Sequence, residues 1–425
     1  MTGTTKARSD VASDGGLGGG LPASVEGCLA ALGDVAAFSE LLARPWSEQL
    51  ECGYGHTLRE IAQQPLTWLD TAARLRHASE VVTQSLDSVL ALVVTGSGSS
   101  LYAGECVAPC LQAELGLPVS AVPAGLILTH PQTCLPPTGR FLVVSVARSG
   151  DSPESRAVVD WLLESSPQAR HLVLTCNRAG ALATVYRERP GVRAIVLDEK
   201  TNDRSLVMTS SFTNLVLAGR ALASVARPEL GAARAQALAQ AGTAMLLTQA
   251  GPLAEAARAG FGSAVFLGSG CRLGSAREAA LKMLEMNGGD VWTLAESFLG
   301  LRHGPMSAIR KDTLVVAFLS SDPLVRAYEL DLLRELDAKG VGGRRIVLGA
   351  GLPAEVASAP GVLAVDIEAG PCGDADLTVL DAMAGQLLGF FRCLAAGFRP
   401  DSPSEHSVIT RVVSGFAIHS RNGAR

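Results

Sequence analysis

Two short stretches combine glycine with hydroxyl groups where strands read as ending. Val93-Val94-Thr95 runs into Gly96-Ser97-Gly98-Ser99-Ser100. Val143-Val144-Ser145-Val146 runs into Ala147-Arg148-Ser149-Gly150-Asp151-Ser152-Pro153-Glu154. A helical pattern follows each. Backbone N–H groups at a helix start have no intrahelical acceptor, and the helix dipole favours an anion there. Glycine lets the chain approach an oxyanion, and serine adds donors. The pattern suits a single phosphomonoester. Neither loop carries the lysine of GxxxxGK[ST], and Leu101 breaks GxGxxG, so neither a nucleoside triphosphate nor a dinucleotide is expected. Ser149 and Ser152 would equally serve as helix caps, because Ser, Asp and Pro are favoured at helix starts. The residues alone leave both readings standing.

Acid–base chemistry has its candidates further along. Residues 275–286 read as a helix, with apolar residues at 276, 280, 283 and 284. Glu278 and Glu285 lie two turns apart, on a face bordering that stripe. A carboxylate there is either solvated or partly buried with a raised pKa, and the second state suits a general base. His303, in Leu301-Arg302-His303-Gly304-Pro305, could open a sugar ring or move a proton near neutral pH; the alternative is an ordinary loop histidine. No HxH, HExxH or paired-carboxylate spacing occurs, so no metal and no cofactor is expected.

Parallel strands must carry these groups. Short apolar runs at 91–95, 119–122, 141–146, 171–175 and 193–197 alternate with helical stretches. A second series follows at 264–267, 313–319, 345–348 and 361–365, with a further strand placed between 291 and 294. The two series keep step. Gly96 and Gly268 are 172 apart, as are Leu142-Val143-Val144 and Leu314-Val315-Val316; the pair at 171 and 345 is 174 apart. Each series ends in an Ala/Leu-rich helix, near 212–225 and 379–396. The expected fold is α/β: two tandem doubly wound parallel sheets, flavodoxin-like, each a three-layer α/β/α unit. Ser320-Ser321-Asp322-Pro323 stands in the second copy with no glycine at the matching place, so the first copy is the phosphate candidate. The expected division is a disordered tail over 1–33, a helical segment over 34–81, domains over 82–228 and 248–400, and a C-terminal tail over 401–425 that closes the site.

Composition narrows the function. Apolar residues make up 48% of the 425 and charged residues 18%, enough for large cores and against global disorder. A net charge of −5 argues against nucleic acid and against a polybasic membrane anchor. No uninterrupted apolar run approaches the length of a spanning helix, and the first residues carry no signal-like apolar stretch. Nine irregularly spaced cysteines read as reduced thiols, with a zinc site or disulfide frame as the alternative. These readings place the chain in the cytoplasm.

The GSGSS loop, the ARSGDSPES loop, the ALKMLE helix and Arg302-His303-Gly304-Pro305 together resemble the sugar isomerase (SIS) domain family. Arg59-Glu60-Ile61-x-x-Gln64-Pro65 is similar to the segment ahead of the first SIS domain in the isomerase half of glucosamine-6-phosphate synthase. Lys200-Thr201-Asn202-Asp203-Arg204-Ser205-Leu206, Met208-Thr209-Ser210-Ser211-Phe212, Pro400-Asp401-x-Pro403 and Arg411-Val412-Val413 resemble the tagatose-6-phosphate ketose/aldose isomerase group, also described as galactosamine-6-phosphate deaminases. The likeness spans about residues 50–420.

The resemblance implies a fold of two SIS domains and a homodimer or higher homo-oligomer. It implies an enzyme that converts a 2-amino-2-deoxyhexose 6-phosphate, D-galactosamine 6-phosphate foremost, to tagatose 6-phosphate and ammonia. Ser99, Ser100, Arg148, Ser149, Gly150 and Ser152 would hold the phosphate. Glu285 would be the base between C1 and C2, and His303 the ring-opening group, reaching in from a second subunit in relatives. Three departures stand out. Ala147 replaces a serine of the synthase loop, and Asp151 replaces a frequent asparagine, placing a carboxylate near the phosphate unless it turns away or pairs with Arg148. The synthase's C-terminal lysine has no match, leaving His406 or Arg411 as substitutes. No cysteine stands at position 2, so glutamine-fed synthesis is not expected. Other SIS activities, a plain ketose/aldose isomerase or a ketosamine-phosphate deglycase, remain alternatives, as does a non-catalytic sugar-phosphate sensor.

Overall fold

The computed structural model describes residues 21–22, 24–137, 139–404, 408–413, 415 and 417–419. Six helices come first: α1 (Val25–Leu32), α2 (Ala36–Ala43), α3 (Trp46–Cys52), α4 (Gly55–Ala62), α5 (Gln64–His77) and α6 (Ser79–Leu86). The first sheet follows as β1 (Ala91–Gly96), α7 (Ser99–Leu115), β2 (Val119–Pro123), α8 (Ala124–Thr129), α9 (Pro131–Cys134), β3 (Phe141–Ala147), α10 (Pro153–Ser165), β4 (Arg170–Thr175), α11 (Ala181–Thr184), β5 (Val192–Val196) and α12 (Ser210–Ala221). Helices α13 (Pro228–Ala244) and α14 (Ala250–Arg258) lead on through one π-helical turn. The second sheet is β6 (Ser263–Leu267), α15 (Arg272–Met286), β7 (Trp292–Glu296), α16 (Phe298–Leu301), β8 (Leu314–Phe318), α17 (Pro323–Lys339), β9 (Arg344–Gly349), α18 (Ala354–Ala357), β10 (Val362–Asp366) and α19 (Asp374–Ala395).

Both sheets are parallel throughout and have the same order. The first runs β2-β1-β3-β4-β5 and the second β7-β6-β8-β9-β10, the flavodoxin-like 2-1-3-4-5 arrangement. All ten strands expected from the apolar runs form, β7 included. Parallel strands covered on both faces read as continuous Val/Leu runs because every side chain finds a core. Leu92, Val94, Leu142 and Val144 enter one core, while Val93 and Val143 enter another on the opposite face. In the second sheet Phe266, Val316 and Ile346 join that same first core, and Val265, Val315 and Val347 face away from it. The two sheets therefore share one continuous interior, built with α7, α12, α15 and α19 between them. Each large apolar side chain buried there stabilises by about 1.5–3 kcal/mol.

Two expectations change. Residues 25–32, assigned to the tail, form α1 instead: Ser24 caps it, and Cys28, Leu29 and Leu32 bury one face. Their apolar residues recur at helical spacing, and the glycine-rich stretch before them hid that period. Helix α19 is also long and apolar enough to cross a membrane by length and composition, although polar residues interrupt its run in sequence. Most of its apolar window, 89%, is buried inside the protein, so it is the central core helix. Pro65 stands in the first turn of α5, where α4 ends. All nine cysteines are unpaired thiols.

Glu329, on α17, is buried and accepts from the Ser320 amide at 2.7 Å. Burial pushes its carboxyl up to about 7, against the pull of Ser269, the Ser320 amide and Arg272. The folded chain then keeps a proton that the unfolded chain has released. The stability this contributes is full below about pH 4.5 and is lost as pH rises through about 7. Glu329→Gln should flatten the decline of the thermal midpoint between about pH 5 and 8 by roughly 2–4 °C. Calorimetric melts across that range check it, and an unchanged slope would remove Glu329 as its source.

Candidate active site

In an open parallel sheet, ligands bind outside the carboxyl ends of the strands where the strand order reverses. In the first sheet that point lies between β1 and β3, the strands that deliver the two serine loops. Gly98 precedes α7 and brings no side-chain cap, leaving Ser99 and Ser100 on the first turn, both 6% exposed. Ser99 Oγ accepts from Lys282 Nζ at 3.1 Å. Ser100 Oγ sits 4.0 Å from Met208 Sδ.

The loop after β3 keeps its hydroxyls off the helix. Ser152 stands at the start of α10 but makes no capping hydrogen bond; its hydroxyl donates to Glu154 at 2.6 Å. Ser149 Oγ accepts from the Asp151 amide at 3.2 Å. Asp151 turns away from the loop, accepting from the Ala181 amide at 2.8 Å, with Asn177 Nδ2 at 3.4 Å. It does not pair with Arg148. Asn177 Nδ2 also donates to the Ser149 carbonyl at 2.8 Å, and the Gly150 carbonyl accepts from the Leu182 amide at 3.0 Å. The loop is thus held from behind by α11.

Arg148 is tied into the chain behind the loop. Its buried guanidinium donates to the carbonyls of Leu206 at 2.9 Å, Ser205 at 3.3 Å and Arg411 at 2.7 Å. Three backbone acceptors already hold the side chain, so it anchors the base of the loop. Arg411 likewise spends its guanidinium inside the chain, on the Asp203 carbonyl and Asn202 Oδ1, both at 2.8 Å. His406 lies outside the described residues.

The turn at 202–206 is built on two buried carboxylates. Glu60 accepts from the Arg204 and Ser205 amides and from the Ser205 hydroxyl. Asp203 accepts from the Thr209 and Ser211 amides, at 2.8 and 2.9 Å. Burial first, and the Asp203 charge second, push the Glu60 carboxyl up to about 8. Asp401 clamps the same region. Its carboxylate accepts from the amides of His56 and Thr57 at the start of α4, at 3.1 and 2.7 Å, and its carbonyl accepts from the Leu206 amide at 3.0 Å.

The second half delivers the charged groups. Lys282, on α15, is fully buried. It forms a hydrogen-bonded ion pair with Glu285 Oε2, and its Nζ lies 3.4 Å from Glu278 Oε1. Burial works against the ammonium, but the Glu278 and Glu285 carboxylates outweigh it and hold its pKa above the ordinary lysine value. Burial drives Glu278 up to about 7, with Lys282 opposing the rise and Glu285 adding to it. Glu278 is fully enclosed, whereas the Glu285 side chain keeps 22% of its surface. Of the two glutamates, Glu285 is the accessible one. Lys282 is the group that sequence reasoning passed over. It sits four residues after Glu278 and three before Glu285, one ladder on a single helix face, and that spacing was the available signal.

His303 is exposed, and its ring makes no hydrogen bond to the Ser99–Lys282–Glu285 group within the chain. Among the described residues no cluster of three or more His, Cys, Asp or Glu side chains is placed to hold a metal.

A serine-lined switch point in one flavodoxin-like half, closed by a lysine–glutamate pair from the other, defines a tandem SIS-type phosphosugar enzyme. No family model matches the chain. The D-galactosamine-6-phosphate deaminase AgaS of Escherichia coli O157:H7 is 34% identical over 379 residues, covering 85% of this chain and 95% of that protein. A Streptomyces coelicolor protein provisionally given the same name is 37% identical over 381 residues, covering 86% and 96%. The solved tagatose-6-phosphate ketose/aldose isomerase of Escherichia coli matches with a TM-score of 0.78 at 31% identity, over 86% of this chain and 96% of that one. The chain belongs to the D-galactosamine-6-phosphate deaminase AgaS family.

The approach of α15 to α7 sets the Lys282–Ser99 contact. A Cβ at Gly274 would come within 2.7 Å of the Cys106 backbone nitrogen and 2.8 Å of its Sγ. Gly274→Ala should push α15 away, at a cost of roughly 1–3 kcal/mol in stability. Displacing Lys282 and Glu285 should then lower turnover by about 10²-fold in protein that still folds. Melts and steady-state kinetics on the same sample check this, and wild-type turnover would show that the contact does not position the site.

Proposed function

We propose that the chain converts D-galactosamine 6-phosphate to tagatose 6-phosphate and ammonia. The observation that carries the reading is the Lys282 hydrogen bond to Ser99, which places the Glu285 carboxylate of the second half beside the serine loop of the first. The substrate phosphate sits at the loops after β1 and β3, on Ser100, Ser149 and Ser152 and the backbone amides from 148 to 151. Anchoring the phosphate orients the reacting carbons by remote binding energy. Ser99 stands between the two regions because its oxygen already meets Lys282.

With the sugar ring open, the buried Lys282 ammonium, held by Ser99, Glu278 and Glu285, fixes the Glu285 carboxylate in place beside the serine loop. Glu285 removes the C2 proton, giving an enolamine, and returns a proton to C1. The resulting ketose imine adds water and releases ammonia, so no electrons leave the sugar. Glu278 keeps Lys282 charged from behind. His303 opens the ring from the partner of a homodimer, in keeping with its exposed position. The enzyme works in the cytoplasm, without nucleic acid or membrane, in keeping with the net charge of −5. A plain ketose/aldose isomerase would use the same proton transfer, and the solved Escherichia coli relative carries that name. Ammonia release from galactosamine 6-phosphate, against isomerisation without ammonia, separates the two.

Glu285→Gln should retain substrate binding and lose turnover by about 10²-fold or more. Mixing Glu285→Gln chains with His303→Ala chains should restore activity above either alone, since some hybrid sites would hold both native groups. Ammonia-release assays on the mixed and separate proteins decide it. A silent mixture would place His303 outside the partner's site, and normal turnover by Glu285→Gln would remove it as the base.

Ser149→Ala combined with Ser152→Ala should raise KM for the phosphorylated sugar by roughly 10- to 100-fold, as hydrogen bonds to a charged group are lost. Inhibition by inorganic phosphate should weaken in parallel. An unchanged KM would leave the loop as a structural turn only.

A further inference from the structure

The two serines of the loop after β3 use their hydroxyls differently. Ser149 Oγ accepts from the Asp151 amide at 3.2 Å, which leaves its own O–H to donate. Ser152 is half-buried, and its hydroxyl donates to Glu154 Oε2 at 2.6 Å. A hydroxyl has one proton, so Ser152 has only lone pairs left to offer an incoming anion. Glu154 is the second residue of α10 and is itself half-buried. A carboxylate thus holds one of the donors on which the phosphate depends.

The second half shows the same device held firmly. After β8, Asp374 accepts from the Ser321 amide and hydroxyl, both at 2.8 Å, and from the Ser320 hydroxyl, with Arg272 3.8 Å away. Hydroxyls, an amide and a guanidinium all fix that carboxylate over its loop. In the matching loop of the first half, the donor that Glu154 meets among the described residues is the Ser152 hydroxyl. A half-exposed carboxylate on one hydroxyl gives it up at little cost, because water replaces the bond. A phosphate brings more charge and three acceptor oxygens, and it gains the loop amides as well.

We propose that Glu154 is a built-in competitor for the substrate phosphate: it holds the Ser152 hydroxyl while the site is empty, and the phosphate takes that hydroxyl from it. The inference rests on the phosphate placement proposed above and adds the residue that sets how tightly an anion binds there. Two anions that share one hydroxyl oxygen lie close enough to repel, so the carboxylate weakens phosphate binding even after it has let go. Glu154 belongs to the first half and has no contact with the Lys282 group, so its effect falls on ground-state binding.

Glu154→Gln keeps the size of the side chain and removes its charge. KM for D-galactosamine 6-phosphate and the inhibition constant of inorganic phosphate should both fall by roughly 5- to 20-fold, with any change in kcat smaller. Glu154→Ala should act in the same direction. In the Ser152→Ala background, Glu154→Gln should gain much less, because the contested donor is gone. Titration with inorganic phosphate repeats the comparison without turnover, and melting curves confirm that each variant is folded. Unchanged or raised constants in both Glu154 variants would overturn the proposal. An equal gain in the Ser152→Ala background would also overturn it, since that is general charge repulsion and not competition for one hydroxyl. Phosphate affinity indifferent to Ser149→Ala with Ser152→Ala would remove the phosphate placement itself, and this inference with it.

Discussion

The structure depends on one buried ammonium. Lys282 carries a charge into the contact between two halves, where it meets carboxylates at 278 and 285 from its own helix and the Ser99 hydroxyl from the other half. Taking Lys282 away would leave its two carboxylates without a cation, at a cost of about 3–5 kcal/mol. Such an arrangement is poor value as mere stabilisation, since apolar side chains would fill the volume as well. It fits the proposed reaction: a dry, fixed positive charge keeps an accessible carboxylate ionised and in place.

Everything that brings α15 to α7 serves that contact. Gly274 allows the backbones of the two helices to approach, and on the other side of α15 a Cβ at Gly385 would come within 2.4 Å of the Ala279 Cβ. Helix α19 therefore lies tight against α15 and braces it. Gln386 ties α19 onward, accepting from Gln64 at 2.8 Å and donating to the Thr209 carbonyl at 3.1 Å. Gln64, Thr209 and Asp401 belong to stretches far apart in sequence, yet all brace the turn that Arg148 ties to the loop after β3. The N-terminal helices and the C-terminal segment act as a frame around the first half.

Much of this was legible beforehand. The strands announced themselves because a parallel strand must bury both faces, and the serine loops because glycine and hydroxyl residues cluster where strands end. Glu285 was visible as a carboxylate at the border of an apolar stripe. Lys282 was not singled out, because a lysine on a helix is ordinarily solvated and only the packing of α15 on α7 buries this one. The same holds for Glu60, Asp203 and Asp401, whose partners lie 144, 6 and 344 residues away. A single sequence read for periodicity carries no trace of pairings like the first and last. A loop arginine beside serines reads as an anion ligand, and only the folded chain shows the Arg148 guanidinium on three tertiary carbonyls.

The two halves share a topology, but the donors at their helix starts are satisfied differently. Gly98 and Gly270 both sit at φ +55°, and the turns that follow them match: Ser100 donates to Ser97, and Arg272 to Ser269. In the second half, however, Asp322 caps α17, taking the amides of Leu324 and Val325. Asp374 accepts from the Ser321 amide and hydroxyl, both at 2.8 Å, and from the Ser320 hydroxyl. Arg272, at the position of Ser100, is locked onto Asp381. Internal carboxylates thus satisfy the donors there and would repel an incoming phosphate. In the first half the cap position holds Ser152, whose hydroxyl leaves the α10 amides alone, and Asp151 faces away toward α11. The proposed division of labour rests on this difference: an open helix start in the first half for the anion, and charged groups from the second.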